Sequence, residues 1–325
     1  MTITVGIDIS KLKFDATFLD SDKNQTQGMF DNNQTGFEAF CRRLPNPAET
    51  RVALEATGVY GENLCQFLYD LGCTVYLLNP ASTQFYSKSM LRRCKTDKSD
   101  GALIAQFLNH HAHELKVWHP KSEEHQHLQS LQGCLDGLKS DRLQVLGRLE
   151  GCSHACSFGQ HEVRLHYTDQ LAFLDQKILA IEHEMLVIVK THSELRERFE
   201  TLISIEGIGD KTALGLLAYL PDLIYFKNAK SLSAFAGLNP CVKQSGSSVR
   251  GKGNISKMGA KKLRTILYMP AVVAKRHNKI LKPFADALVE RGKLKKVVTI
   301  AVMRKLLHHI FSVLKKRKEC PSSTH

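Results

Sequence analysis

The chain has 325 residues, 43% of them hydrophobic and 24% charged, with a net charge of +13. That is more material than one small core needs, so two or three folded domains are expected. Between Lys227 and Lys318, 23 Lys and Arg face only two acids, Asp286 and Glu290, a local charge of +21 that leaves −8 for the remainder. A block this basic attracts polyanions. Its interleaved apolar positions exclude a disordered tail and mark a folded nucleic-acid-binding surface. The nine cysteines are odd in number and contain no C-x-x-C pair, which argues against a disulfide framework or a zinc ribbon and for a reducing cytoplasm. Cys152, His154, Cys156, His161 and His166 cluster without any standard zinc spacing and read as helix residues facing a partner. The N-terminus opens directly into a strand-like run, and no apolar stretch approaches the ~20 residues that cross a bilayer, so neither export nor membrane anchoring is expected.

In chain order, Thr2 to Ile9 alternates and is rich in β-branched residues, and Lys13 to Leu19 follows after a short turn, predicting an antiparallel pair. Asp8 lies near the end of the first strand between Ile7 and Ile9 and must point opposite to them. It is either a solvent-facing strand residue or a metal ligand at the centre of a sheet. Arg51 to Glu55 is strand-like and places Glu55 at a strand end. A helical run from Gly58 to Leu71 and a strand from Cys73 to Leu78 then predict a mixed α/β sheet. After a polar connection, Thr96 or Asp97 caps a helix running to about Leu108. The i, i+3 spacing puts Asp97 and Asp100 on one face of it, where they serve either as ordinary acids at a helix N-terminus or as ligands. Together the four carboxylates, Asp8, Glu55, Asp97 and Asp100, form a hard-oxygen donor set of the kind that binds Mg²⁺, with Mn²⁺ as a substitute, for phosphodiester chemistry.

The strings G-I-D-I-S, E-A-T-G-V-Y and K-T-D-K-S-D resemble the D-E-D-D signature of the RuvC-like, RNase H-fold domain of insertion-sequence transposases related to the Piv DNA invertase. The fold class expected is therefore an α/β RuvC-like domain at 1–120, an α-helical coiled-coil region at 121–195 and a mainly α-helical basic domain at 196–325. For the middle region, Leu128, Leu131, Leu135, Leu138, Val145 and Leu149 follow a heptad interrupted by Arg142. Leu171, Leu174, Ile178, Ile181, Met185 and Ile188 follow one without interruption. An antiparallel helical hairpin satisfies both, as a plain spacer or as a protruding coiled coil that joins protomers or grips nucleic acid.

Leu202 to Leu220 contains E-G-I-G-D-K-T-A, which resembles a helix-hairpin-helix. Gly207, Gly209 and Lys211 would then meet a DNA phosphate at the helix N-terminus; an ordinary interhelical turn is the alternative. A short apolar helix, Ser231 to Leu238, precedes V-K-Q-S-G-S-S-V-R-G-K-G at Val242 to Gly253. Its glycines permit close backbone approach to a phosphate, and its serines can hydrogen-bond or attack one. Lys243, Arg250 and Lys252 are the phosphate contacts expected there. Two basic amphipathic helices follow, one carrying Lys261, Lys262 and Arg264, with Pro270 expected to kink or end it.

F-A-G-L-N-P, S-G-S-S-V-R-G and L-Y-M-P also match the family, so the resemblance covers nearly the whole chain. It implies that Ser245, with Ser247 and Ser248 as competitors, is the nucleophile that joins DNA covalently. It implies further that dimers assemble into a tetramer whose acids and serine come from different subunits, and that a structured noncoding bridge RNA pairs with donor and target DNA. The reading is a magnesium-dependent DNA recombinase of the transposase or invertase kind, acting in a bacterial cytoplasm. A RuvC-like junction nuclease using activated water and a non-catalytic nucleic-acid scaffold are the rivals.

Overall fold

The computed structural model describes residues 3–319 apart from 21, 23, 57, 91–96, 155–159, 242–243, 246–248 and 251–253; at 59, 97–99, 153–154, 160, 244–245, 249–250 and 318–319 it describes the backbone alone. The chain forms two compact units, Met1–Lys121 and Ser122–His325.

The first unit is built on a five-stranded sheet. Strands β1 (Ile3–Ile9), β2 (Lys13–Leu19) and β3 (Gln25–Asp31) form an antiparallel meander, while β4 (Thr50–Glu55) and β5 (Thr74–Leu78) extend it in parallel with β1, in the order β3-β2-β1-β4-β5. Alternation divides the residues between two faces. Val5, Ile7, Phe14, Val52 and Leu54 pack on one face with Phe37 and Phe40 of α1 (Gln34–Cys41) and Leu64 and Leu68 of α2 (Glu62–Asp70). On the other face Ala53, Tyr76 and Leu78 meet Ile104 and Leu108 of α4 (Asp97–His111). Between β5 and α4 lies α3 (Pro80–Ser89), opened by the Asn79 side chain accepting from the Ala81 amide, where a polar connection was expected. Its only buried residue is Thr83, so it lacks the apolar stripe that announces a helix. Strand β3 and helix α1 likewise carried no predicted element.

The second unit is helical. Helices α5 (Glu123–His154) and α6 (Gln160–Thr191) run antiparallel: Glu124 meets His192 at 3.7 Å, Lys139 meets Glu182 at 2.9 Å, and Arg142 meets Asp175 at 2.5 and 3.3 Å. The last pair explains the interruption of the first heptad, since the Arg142 side chain carries its charge to a partner across the helix pair. Leu128, Leu135, Ile178, Met185 and Val189 join one core with α7 (Ser193–Ile203), α8 (Asp210–Tyr219), α9 (Ala229–Phe235), α10 (Lys261–His277), α11 (Leu281–Glu290) and α12 (Lys295–Glu319). Helix α10 continues through Pro270 rather than ending there; the ring is buried, and the core holds both sides of the helix in place. Over Lys295–Arg317, α12 is long and apolar enough to cross a membrane, contrary to the expectation that no such stretch occurs. Half of that span is buried in this unit, with Val302, Leu306, Leu307 and Ile310 fully enclosed, as befits a core helix.

Candidate active site and nucleic-acid interface

Two neighbouring parallel strands bring the first two acids together. Ile7 of β1 pairs with Leu54 of β4, so Asp8 and Glu55 are the next residues of the two strands, at their carboxyl ends. Asp8 shares its face of the sheet with Gly6, and Glu55 shares the same face with Ala53, beneath α4. Here a glycine is indispensable: a Cβ on Gly6 would lie 2.2 Å from the Gly101 carbonyl oxygen and 2.3 Å from the Ala105 nitrogen. Gly101 in turn lies against the Thr17 hydroxyl and the Gly6 carbonyl. This backbone-to-backbone approach seats the first turn of α4, with Asp97 and Asp100, on the face that Asp8 and Glu55 occupy.

The four predicted ligands are all carboxylates, a chemistry that suits a hard divalent cation rather than zinc. Among the described residues no three His, Cys, Asp or Glu form a metal-holding group, so the side chains of Asp8, Glu55 and Asp100 are not gathered into one; the Asp97 side chain lies outside the described residues. Two further groups at this site escaped the sequence reading. Asp15 of β2 stands directly opposite Asp8 in the antiparallel register, and like charges so placed repel unless a cation intervenes. The Thr83 hydroxyl of α3 has two acceptors for its single proton, Glu55 Oε1 and, at 2.9 Å, the Pro80 carbonyl. The Asn79-Pro80 start signal could have revealed the helix that carries it.

The serine stretch is carried by a two-stepped β-hairpin rather than by a plain loop. Strand β6 (Pro240–Cys241) pairs with β9 (Asn254–Ile255), and β7 (Gln244–Ser245) pairs with β8 (Val249–Arg250), Ser245 lying opposite Val249. Lys243, Ser247, Ser248 and Lys252 lie outside the described residues. The base of the hairpin is clasped by backbone bonds from Ser256 to Asn239, Lys257 to Gly237 and Ala260 to Phe235, of 2.9, 3.1 and 2.9 Å. Gly259 is pressed so close that a Cβ would lie 2.0 Å from the Phe235 carbonyl oxygen.

The other expected phosphate contacts separate into free and committed groups. Gly209 caps α8 and is exposed, as an anion-accepting N-terminus requires. Gly207, at φ +104°, is instead packed against Pro270 and Ala274 of α10. Lys211 reaches Glu182 at 2.8 Å. Lys262 donates to the Tyr219 hydroxyl at 2.7 Å and lies 3.4 Å from Asp136, and the hydrogen bond to Tyr219 leads the causes that raise its pKa. Arg264 directs Nη1 to the carbonyls of Ala236 and Gly259, at 2.9 and 3.3 Å, bracing the hairpin base. Lys261 is exposed.

Known proteins resemble this chain in sequence. A DEDD transposase model of the IS110 type matches residues 5–152, and a transposase model of the IS116/IS110/IS902 family matches residues 199–286. The pilin gene-inverting protein of Moraxella bovis is 33% identical over 99% of this chain and 98% of its own length. The chain belongs to the IS110 family of transposases and DNA invertases. It is an enzyme of DNA recombination. The transposase for insertion sequence element IS1111A of Coxiella burnetii is 25% identical over 82% of this chain and 78% of its own. A Thermus thermophilus RuvC structure aligns with 36% of the chain at 13% identity and a TM-score of 0.26.

Within this IS110-family chain the cysteines show no sign of redox or metal chemistry among the described residues. Cys41, Cys65, Cys73, Cys134, Cys152 and Cys241 are free thiols, and burial pushes Cys65 up to about 12 and Cys73 up to about 11. Both are inert at neutral pH. Of the Cys-His patch, Cys152 lies in the last turn of α5 while His161 and His166 are exposed on α6; Cys156 and the His154 side chain lie outside the described residues.

Proposed function

We propose that the protein is a Mg²⁺-dependent DNA recombinase that cuts and exchanges strands through a phosphoserine at Ser245. The observation that carries the reading is the juxtaposition of Asp8 and Glu55 at adjacent parallel strand ends, with the first turn of α4 seated over the same face. Asp8, Glu55, Asp97 and Asp100 would hold the metal, Mn²⁺ being an acceptable substitute for Mg²⁺. When bound, the metal supplies charge neutralisation for a hydroxyl attacking a phosphodiester.

The chain's own groups do the rest. Thr83 fixes the Glu55 carboxylate, and the clasped hairpin presents Ser245, with Lys243, Arg250 and Lys252 on the phosphate. The Ser245 oxygen bonds to phosphorus as the bond to the deoxyribose oxygen breaks, so the phosphodiester count is conserved and rejoining needs no high-energy cofactor.

Acids and serine belong to different compact units, which favours a site completed between protomers. A second apolar stripe on α6 supports such an assembly: Leu165, Phe173, Leu179 and Val187 are 52, 55, 63 and 49% exposed, on the side away from α5. Heptad spacing along both helices supports reading the pair as an antiparallel coiled coil, suited to joining dimers into a tetramer. The strand order and the positions of the acids support reading the sheet unit as RuvC-like. Donor and target DNA are the substrates, and a noncoding bridge RNA paired to both accounts for a +21 segment dominated by phosphate-binding side chains.

The test is a covalent-adduct assay with protein, any co-purifying RNA, Mg²⁺ and the flanking chromosomal DNA, stopped with detergent. A DNA-linked band that disappears in Asp8→Ala, in Ser245→Ala and in EDTA is expected. Cleavage without linked protein that persists in Ser245→Ala would instead identify a water-using junction nuclease. Binding without cleavage in any metal would identify a scaffold.

A further inference from the structure

Helices α9 and α12 share a cluster of cationic groups that no function so far described employs. Arg304 and Lys305 are consecutive residues of α12, and one turn later His308 Nε2 lies 2.8 Å from the hydroxyl of Ser233, a fully buried residue of α9. Lys230, in the first turn of α9, acts on the same imidazole from the other helix. Arg304 Nε is buried and has no hydrogen-bond partner, although the side chain as a whole reaches the surface. Lys305 rests over the Phe284 ring at 5.4 Å, and among the described residues no carboxylate forms a salt bridge with it or with Lys230.

Such an arrangement is unfavourable by itself. A buried Nε–H on a cation, lacking an acceptor and close to two ammonium groups, costs free energy that an anion bound at the exposed part of the guanidinium would offset. Of the two acids in the segment, Asp286 is already taken by Lys282 at 2.7 Å. The imidazole registers the deficit. Burial, then Arg304, Lys305 and Lys230, hold the His308 pKa below its ordinary value.

We propose that Lys230, Arg304, Lys305 and His308 form a binding site for a backbone phosphate of the nucleic acid. Arginine and lysine donors without acceptors match phosphate oxygens, and the hydroxyl-bonded imidazole adds a further donor once the anion is in place. Helix α9 runs directly into the base of the serine hairpin, so a phosphate fixed here sets the position of the strand relative to Ser245. The inference rests on the recombinase reading for its ligand, but not on any chemistry at Ser245.

The experiment measures the affinity of the full-length protein for fluorescent DNA duplexes and RNA stem-loops of unrelated sequence over a range of NaCl. Wild type is compared with Arg304→Gln, Lys230→Gln and Lys282→Gln. A phosphate contact predicts that Arg304→Gln and Lys230→Gln each weaken binding about three- to tenfold, equally for all sequences, and lower the slope of log K against log salt by about one. Lys282→Gln should leave both unchanged. Whether the loss is seen with DNA, with RNA or with both identifies the strand held. Inorganic phosphate should raise the melting temperature of the wild type and the His308 pKa measured by NMR, but not in Arg304→Gln. Equal slopes for Arg304→Gln and wild type, in protein whose thermal melt is intact, would overturn the site while leaving the recombinase reading untouched. A variant that melts lower without phosphate would show a packing role instead, since relief of repulsion predicts the same or a higher melt. Failure of the wild type to bind any nucleic acid would be the failure of the broader reading.

Discussion

The two units handle charge in opposite ways. Residues 1–121 contain 13 Lys and Arg and 13 Asp and Glu, so the sheet unit is neutral and the helical unit carries the entire +13. In the sheet unit, individual acids are placed by backbone register. In the helical unit the bases act in number, and several have been withdrawn from the surface pool by partners: Lys139 and Lys211 by Glu182, Lys262 by Asp136 and Tyr219, Arg264 by backbone carbonyls. Net charge therefore overstates the basic groups available to DNA.

The largest expected effects break the chemistry of one unit without disturbing the other. Asp8→Asn or Ser245→Ala should each reduce strand exchange by about 10⁴-fold or more while leaving DNA affinity within a few-fold, as measured by adduct yield and by binding isotherms. A matching loss of affinity would mean that the acids or the serine serve binding. Next in size is a packing change confined to the sheet unit. Gly6→Val drives a side chain into the Gly101 carbonyl and the Ala105 nitrogen and should destabilise that unit by about 3 kcal/mol, read by denaturant unfolding. Wild-type stability in that variant would mean that α4 can lift from β1 at little expense.

A smaller effect probes the helical unit. The Glu182 side chain is 8% exposed and bonded to Lys139 and Lys211. Burial raises its pKa, but the hydrogen bonds from Lys211 and Lys139 outweigh this and leave it below the ordinary value of 4.5. A depressed carboxylate contributes stability that is present above about pH 4.5 and lost as the pH falls through the lower folded value. Glu182→Gln should thus cost about 1–2 kcal/mol at pH 7, the lysines being free to rehydrate, and the gap from wild type should close on acidification in thermal melts. The smallest effect returns to the sheet unit. Thr83→Val removes the donor to Glu55 and should weaken metal-dependent activity about tenfold, largely rescued by excess Mn²⁺, whereas a purely structural role would show no metal dependence.

Much of this was legible from residues alone. Strands β1, β2, β4 and β5 announce themselves by alternation, and the long helices by heptads. Asp8 and Glu55 stood out because an acid in an apolar strand has few ordinary uses. Strand β3, Gln25–Asp31, did not, because it is an edge strand with most of its side chains exposed and so has no apolar period to detect. Helix α3 was hidden for the same reason. The relation of Asp15 to Asp8 required the hairpin register, and the close approach of Gly6 and Gly101 joins residues nearly a hundred positions apart. No periodicity encodes either. The helix-hairpin-helix signature correctly placed the start of α8 but said nothing of Gly207 facing α10, and the lysine pattern of α10 could not disclose which ammonium groups already had partners.

The clasp beneath the serine hairpin has a mechanical corollary. Three backbone hydrogen bonds and the Arg264 brace tie both limbs of the 240–255 excursion to α9 and α10, so the limbs are held independently of the peptide that joins them at the tip. A single protease cut within 246–248 should therefore leave two fragments that migrate together under native conditions and separate only in denaturant. Lengthening the tip by a few residues should cost only the slowly growing entropy of loop closure, roughly 0.6 kcal/mol for each doubling. The hairpin is in this sense an interchangeable fitting on a fixed mount.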